Sequence, residues 1–178
     1  MTLVLVPTLS LFLLQAPGDG WAMAPGKPGE VKHLYWDLFD TTEVWVQVRP
    51  ELLEGKGPAP LQLVFQGFYK GREAKGTPGR VGARVVGPAL ADLSFRLTYD
   101  GKTADLTGRQ GNSRLLFPAP ACDTCSANGV DADFKIDVLR EYAVSPRPGG
   151  AALGIAFVLS ATDRIALRTF VAQLVQQK

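Results

Sequence analysis

Residues 130–138 have the sequence VDADFKIDV, and this stretch decides the expected fold. Apolar side chains occupy every even position from Val130 to Val138, and polar side chains occupy the odd positions between them. A two-residue period places alternate side chains on opposite faces of an extended strand, whereas a helix repeats about every 3.6 residues. The stretch therefore predicts a β-strand with one packed face and one solvated face.

Weaker alternation recurs along the chain between segments rich in glycine and proline, which are typical of turns. The run at 153–159 is almost entirely apolar, which favours a central strand buried on both faces. Asp100-Gly101 is typical of a tight hairpin turn. Together with that central run, the predicted strands span residues 31–39, 43–49, 61–69, 80–86, 93–99, 103–107 and 113–117.

The last segment fits two interpretations. Four apolar residues recur there at helical spacing, namely Leu167, Phe170, Val171 and Leu174. Thr162 or Asp163 is a suitable cap for such a helix, although the same segment also alternates acceptably as a strand. We favour the helix.

About eight short strands without helices repeating between them predict an all-β fold, either a sandwich or a barrel. We expect an antiparallel β-sandwich, immunoglobulin-like in general architecture, with a short C-terminal helix. The paired cysteines and the tryptophan spacing of true immunoglobulin domains are absent from the sequence.

The start of the chain is apolar and indicates export. Residues 2–16 carry no charge and are too short for a membrane span of roughly 20 residues. We predict a signal peptide at 1–22, a Gly/Pro-rich linker at 23–30 and one domain at 31–178. No basic residue precedes the apolar run, so a structural segment kept in the mature chain is the alternative. Export implies a secreted, periplasmic or cell-surface protein.

The formal net charge of +2 gives no global attraction for nucleic acid, so no nucleic-acid partner is expected. We expect a protein partner or self-assembly, with a glycan as the alternative. An extended N-terminal arm is a suitable strand donor to the sheet edge of a neighbouring copy.

Cys122 and Cys125 are the only cysteines, in the order Cys-Asp-Thr-Cys. After export a structural disulfide is the favoured state of such a pair. A redox pair and a zinc site are the alternatives, and zinc would need His33 and a carboxylate such as Asp123 to complete four ligands.

Three carboxylates, Asp131, Asp133 and Asp137, lie on the polar face of the strand predicted at 130–138. Oxygen ligands in such a row can hold calcium. Lys135 between them partly neutralises the row, so a solvated sheet face is the favoured interpretation. We predict no metal and no cofactor.

A basic, glycine-rich stretch is the candidate site for a polyanion such as an acidic glycan or a lipid head group. The favoured alternative is a solvated connection between strands. The candidate residues are Lys70, Arg72, Lys75, Arg80 and Arg84.

Tyr35, Phe39 and Trp45 are the candidate ligand-binding aromatics. In the predicted first hairpin they share one face, opposite Leu34, Trp36, Val44 and Val46. Exposed rings on a sheet can stack on sugars or bind a protein, although burial of these rings is the favoured alternative.

The sequence carries no catalytic signature. His33 is the only histidine, and no nucleophile elbow, zinc-protease motif or P-loop is present. We therefore predict an exported, non-catalytic protein that acts in surface recognition or assembly. A carbohydrate-binding module and a metal or redox protein are the alternatives.

Overall fold

The computed structural model describes residues 29–53, 61–88, 94–106, 108–111 and 127–176. These residues form a mostly β structure with two antiparallel sheets, which confirms the sandwich-like, β-rich expectation. The predicted signal peptide, most of the linker, the strand predicted at 113–117 and both cysteines lie outside the described residues.

The described elements follow one another in this chain order. The strands are β1 (Val31–Trp36), β2 (Thr41–Val48), β3 (Glu51–Leu52), β4 (Gln62–Lys70), β5 (Arg80–Pro88), β6 (Phe95–Tyr99), β7 (Lys102–Leu106), β8 (Arg109–Gly111), β9 (Ala127–Phe134), β10 (Gly149–Ala152) and β11 (Ile155–Val158). The helices are α1 (Ile136–Val144) and α2 (Ala161–Gln176), and a 3-10 turn at Asp37–Phe39 joins β1 to β2.

The strands divide into two sheets. The larger sheet has the order β1-β2-β4-β5-β9-β8, and the smaller has the order β3-β11-β10-β6-β7. All pairings between neighbouring strands are antiparallel. We call the face of the larger sheet that carries Val44, Phe65 and Val85 its inner face, and the opposite face its outer face. These three side chains are fully buried in a core shared with the smaller sheet and both helices.

Tyr142 of α1 connects the two sheets within this core. Its ring lies 5.9 Å from the ring of Phe65 on β4 and 5.9 Å from the ring of Tyr99 on β6. Helix α2 packs along β2 on the inner face, where the Tyr69 hydroxyl donates to the Leu174 carbonyl over 3.3 Å. The helices therefore fill part of the space between the sheets.

The stretch at 130–138 is a strand in its first part only. Strand β9 ends at Phe134, and α1 begins at Ile136, so the prediction of a strand through Val138 is wrong. Leu139, Tyr142 and Ala143 are buried along one face of α1. Their three- to four-residue spacing is helical, and burying this face outweighs the alternation that continues through Val138.

The first two residues of the apolar run at 153–159 form a turn, so the run is a strand only at β11 (Ile155–Val158). This strand lies between β3 and β10 and is not buried on both faces. Strands β10 and β11 meet at Leu153-Gly154, where both residues have positive φ angles of 54° and 75°. Two consecutive left-handed residues form the tight turn whose twist suits a hairpin. The predicted Asp100-Gly101 turn is confirmed, with φ angles of 46° and 72°.

The C-terminal segment is a helix, as favoured from its spacing, and its four predicted core residues are buried. Its cap differs from the expectation. Ser160 accepts a hydrogen bond from the Asp163 amide over 3.1 Å and donates its hydroxyl to the Asp163 carboxylate over 2.8 Å. Ser160 is therefore the N-cap of α2, since its side-chain oxygen satisfies the free backbone N–H of Asp163 in the first turn. Among the described residues, neither helix is long and apolar enough to cross a membrane.

Candidate functional site

A recess of about 450 Å³ opens on the outer face of the larger sheet, beside the turn between β1 and β2. Pockets that take small molecules have volumes of roughly 300–1,000 Å³, so the recess is large enough for a ligand. Its described lining comprises Trp36, Phe39, Thr41, Glu43, Gln66, Phe68, Tyr69, Lys70, Gly79, Arg80 and Arg84.

Strand register brings the polar and aromatic side chains of the recess together. Glu43 on β2 pairs with Phe68 on β4, and Phe68 pairs with Arg80 on β5. Directly opposed residues in an antiparallel sheet extend to the same face, so these three side chains form a row across three strands. Gln66 and Arg84 lie an even number of residues away on β4 and β5 and share that face.

Glu43 lies at the base of the recess and is only 3% exposed. One carboxylate oxygen accepts a hydrogen bond from the Trp36 indole over 2.9 Å, and the other accepts one from the Gln66 amide over 2.5 Å. Burial raises the pKa of Glu43, while these two bonds and the charges of Arg84 and Arg80 act in the opposite direction. The carboxylate is therefore held in one orientation by neutral donors.

Arg84 lies deeper on β5 and is neutralised by Asp131 on β9. The register opposes these two residues, and the guanidinium makes two bonds to the carboxylate, one of them 2.8 Å long. Burial alone would lower the pKa of Arg84. The hydrogen bonds to Asp131 and its negative charge together have the larger opposite effect, so the pKa of Arg84 is raised. The pair fixes the recess floor without adding net charge.

Arg80 and Lys70 lie nearer the opening. The Arg80 guanidinium lies 4.0 Å from the centre of the Phe68 ring, a distance typical of a cation–π contact. Its Nε atom is 3.4 Å from a carboxylate oxygen of Asp133, which is longer than a typical charged hydrogen bond. Lys70 makes no ion pair with any residue that the structure describes.

The structure separates the three aromatics that were predicted to share a face. Phe39 lines the recess and is 54% exposed, whereas Trp45 is 3% exposed and absent from the described lining. Tyr35 pairs with Thr42 and extends to the face opposite Trp36. Residues that pair across two strands extend to the same face of the sheet. The four-residue turn at 37–40 shifts the pairing of β1 with β2 by one residue from the predicted register, which changes the face on which each β1 side chain lies.

Tyr35 instead belongs to a cluster on the outside of the β1–β2 turn. Its hydroxyl donates to Asp40 over 2.8 Å, which raises the pKa of Tyr35. The Arg72 guanidinium lies 4.9 Å from the Tyr35 ring centre and 3.1 Å from the Asp37 carboxylate. This cluster anchors the start of the basic stretch to the turn.

The five predicted polyanion ligands do not form one basic patch. Three of them line the recess, namely Lys70, Arg80 and Arg84. Arg72 pairs with Asp37 outside it, and Lys75 pairs with its near neighbour Glu73. Acidic partners neutralise most of the stretch, which leaves its exposed positive charge near the recess opening.

The three predicted calcium ligands are dispersed. Asp131 and Asp133 share the outer face of β9 but contact Arg84 and Arg80. Asp137 lies in the first turn of α1 and contacts Arg140 over 3.0 Å, so its placement on the same strand face is wrong. Among the described residues, no group of three or more His, Cys, Asp or Glu side chains is placed to hold a metal ion.

Sequence reasoning missed Trp36, Glu43, Gln66 and Phe68. The available signal was a glutamate and a glutamine within two strands rich in apolar residues, because a polar group buried in a sheet needs partners on neighbouring strands. Trp36 was missed because the predicted hairpin register, which differs by one residue from the observed one, places it opposite the candidate aromatics.

No protein-family model, curated protein or solved structure matches the chain.

Proposed function

We propose that this chain is an exported, non-catalytic recognition protein that binds a saccharide in the recess on the outer face of its larger sheet. The observation that carries the proposal is the combination of aromatic rings with a buried, hydrogen-bonded carboxylate in one open recess. Of the three aromatics predicted from the sequence to bind a ligand, only Phe39 belongs to the described lining of this recess.

Aromatic rings suit the apolar faces of a sugar. Trp36, Phe39 and Phe68 border the recess and come from three different segments. Flat rings provide a large apolar contact area at little conformational cost, and the C–H face of a pyranose is apolar. Rings from separate segments can contact one ligand from more than one side.

Polar groups at the base suit sugar hydroxyls. Glu43 and Gln66 are held by each other and by the Trp36 indole, and Arg84 is held by Asp131. A few preorganised polar groups in an otherwise apolar pocket are typical of specific small-molecule sites, because they orient the ligand without first having to be ordered.

The proposed role is binding and not hydrolysis. Glycoside hydrolysis usually needs two carboxyl groups flanking the scissile bond. Among the lining residues that the structure describes, Glu43 is the single carboxylate, and both of its oxygens already accept hydrogen bonds.

Two further parts of the proposal concern the type of β-sandwich and the export of the protein. We infer that the two-sheet arrangement is immunoglobulin-like in general architecture only, since two helices share its core. Export rests on the apolar residues 2–16, and N-terminal sequencing of secreted protein tests it.

Binding to an array of immobilised oligosaccharides tests the function. We expect the protein to bind at least one glycan, and calorimetry should show Phe39→Ala weakening that binding about tenfold, or ~1.4 kcal/mol. Leu38→Ala is the matched control, because Leu38 is adjacent, 86% exposed and outside the described lining.

Leu38→Ala should leave the affinity unchanged. Absence of binding to every glycan, or equal losses in the two variants, would contradict the proposed site.

A further inference from the structure

We propose that the bound saccharide carries an acidic group, such as a uronate carboxylate or a sulfate, which Lys70 and Arg80 bind at the open end of the recess. This inference rests on the proposed function and specifies its ligand class. It follows from how positive charge is distributed around the recess.

The cations differ in how far their charge is already compensated. Arg84 is mostly buried, and Asp131 binds it through two hydrogen bonds, so its positive charge is already neutralised and does not favour an anionic ligand. Arg80 has one long contact to Asp133, and over half of its side chain is exposed. An arginine has five N–H donors, so most of those on Arg80 are available.

Lys70 adds a second cation beside Arg80. Lys70 is the last residue of β4 and pairs with Thr41 on β2. It lies two residues after Phe68, so the two side chains share one face of β4. Because Phe68 is directly opposite Arg80, Lys70 is the diagonal neighbour of Arg80, at a Cα separation of roughly 7–8 Å. Long side chains at that spacing can converge on one anion.

The Arg80 guanidinium lies over the Phe68 ring, 4.0 Å from the ring centre. The N–H donors of a guanidinium lie at the edge of its plane, so contact of its face with an aromatic ring leaves them able to bind a ligand. This orientation suits a planar carboxylate or a sulfate, which accept two parallel hydrogen bonds from such a group.

The base of the recess has the opposite preference. The Glu43 carboxylate is buried there, so an anionic group would be repelled and sugar hydroxyls would be accepted. The recess is therefore negatively charged at its base, at Glu43, and positively charged at its opening, at Lys70 and Arg80. This charge distribution favours one ligand orientation, with the acidic group of the saccharide at the opening.

The experiment uses an oligosaccharide array that pairs each uronate-bearing or sulfated glycan with its methyl-esterified or unsulfated counterpart. We expect the acidic member of the preferred pair to bind at least tenfold more tightly, and this preference should decrease between 50 mM and 500 mM NaCl as charge is screened. Lys70→Gln and Arg80→Gln should each reduce the ratio of acidic to neutral affinity about three- to tenfold.

Lys75→Gln is the matched control, since Lys75 is a nearby exposed lysine that contacts Glu73 and does not line the recess. Equal loss in this control, or equal affinity for the two members of every pair, would overturn the acidic preference. Neutral glycans that still bind in a Phe39-dependent way would leave the proposed function standing, whereas no glycan binding would overturn both.

Discussion

Two arginine–aspartate pairs in this protein have the same local arrangement and different burial, which makes their energies directly comparable. Arg84 opposes Asp131 across β5 and β9, and Arg96 opposes Asp105 across β6 and β7. The side chains of the first pair are 15% and 28% exposed, and those of the second are 55% and 69% exposed. Only the first pair supports the recess.

The expected energies follow from this difference in burial. Two unit charges about 4 Å apart attract by about 4 kcal/mol at an effective dielectric constant of ~20, and partial desolvation offsets part of that attraction. We expect a coupling energy of about 2 kcal/mol for Arg84 with Asp131. Exposed ion pairs contribute about 0–1 kcal/mol, so the coupling of Arg96 with Asp105 should be ~0.5 kcal/mol or less.

Double-mutant cycles measure these couplings. The variants are Arg84→Gln, Asp131→Asn and their combination, with Arg96→Gln, Asp105→Asn and their combination as the matched cycle. Urea unfolding at pH 7 gives each free energy of unfolding. Raising NaCl to 0.5 M should remove the second coupling and retain most of the first. Equal couplings in the two cycles would refute the claim that a partly buried ion pair fixes the recess floor.

Three further predictions concern single side chains. Tyr142→Phe should stabilise the fold by about 1 kcal/mol in urea unfolding, because the buried Tyr142 hydroxyl has no hydrogen-bond partner among the residues that the structure describes. Tyr69→Phe should destabilise the fold by ~0.5–1 kcal/mol, because the Tyr69 hydroxyl donates to Leu174. A destabilised Tyr142→Phe variant would show that the Tyr142 hydroxyl is paired. Burial raises the pKa of Glu43, so the folded protein holds this proton more tightly than the unfolded chain does. The wild type should therefore lose stability relative to Glu43→Gln as pH rises above the ordinary glutamate pKa of 4.5. A stability difference that stays constant with pH would contradict this. Ser160→Ala should lower the melting temperature of the protein by about 2–4 °C through loss of the α2 N-cap, and Thr162→Ala should not. Equal shifts in the two variants would argue against Ser160 as the cap.

Several strands and turns of both sheets were predictable because their sequence patterns are local. Alternation along 43–49 located β2, and Asp100-Gly101 located the β6–β7 turn. The strand predicted at 153–159 begins two residues later, at Ile155, and the reason is also local. Gly154 forms a turn there together with Leu153, a residue type that seldom adopts positive φ, so composition alone gave little indication of the bend.

The candidate site was less predictable because it depends on register. Trp36 and Tyr35 exchange faces if the turn at 37–40 changes length by one residue, and the sequence of that turn does not determine its length. The Glu43–Gln66 contact joins strands 23 residues apart, and the Arg84–Asp131 pair joins strands 47 residues apart. Such pairings emerge only once the whole sheet is assembled.

The most direct test of the central claim is a crystal structure of the protein with the tightest-binding oligosaccharide from the array. We predict a sugar ring in the outer-face recess, in contact with Phe39 and hydrogen-bonded to the group around Glu43. A ligand bound on the smaller sheet or at an outer sheet edge, with the recess unchanged, would contradict the proposed function.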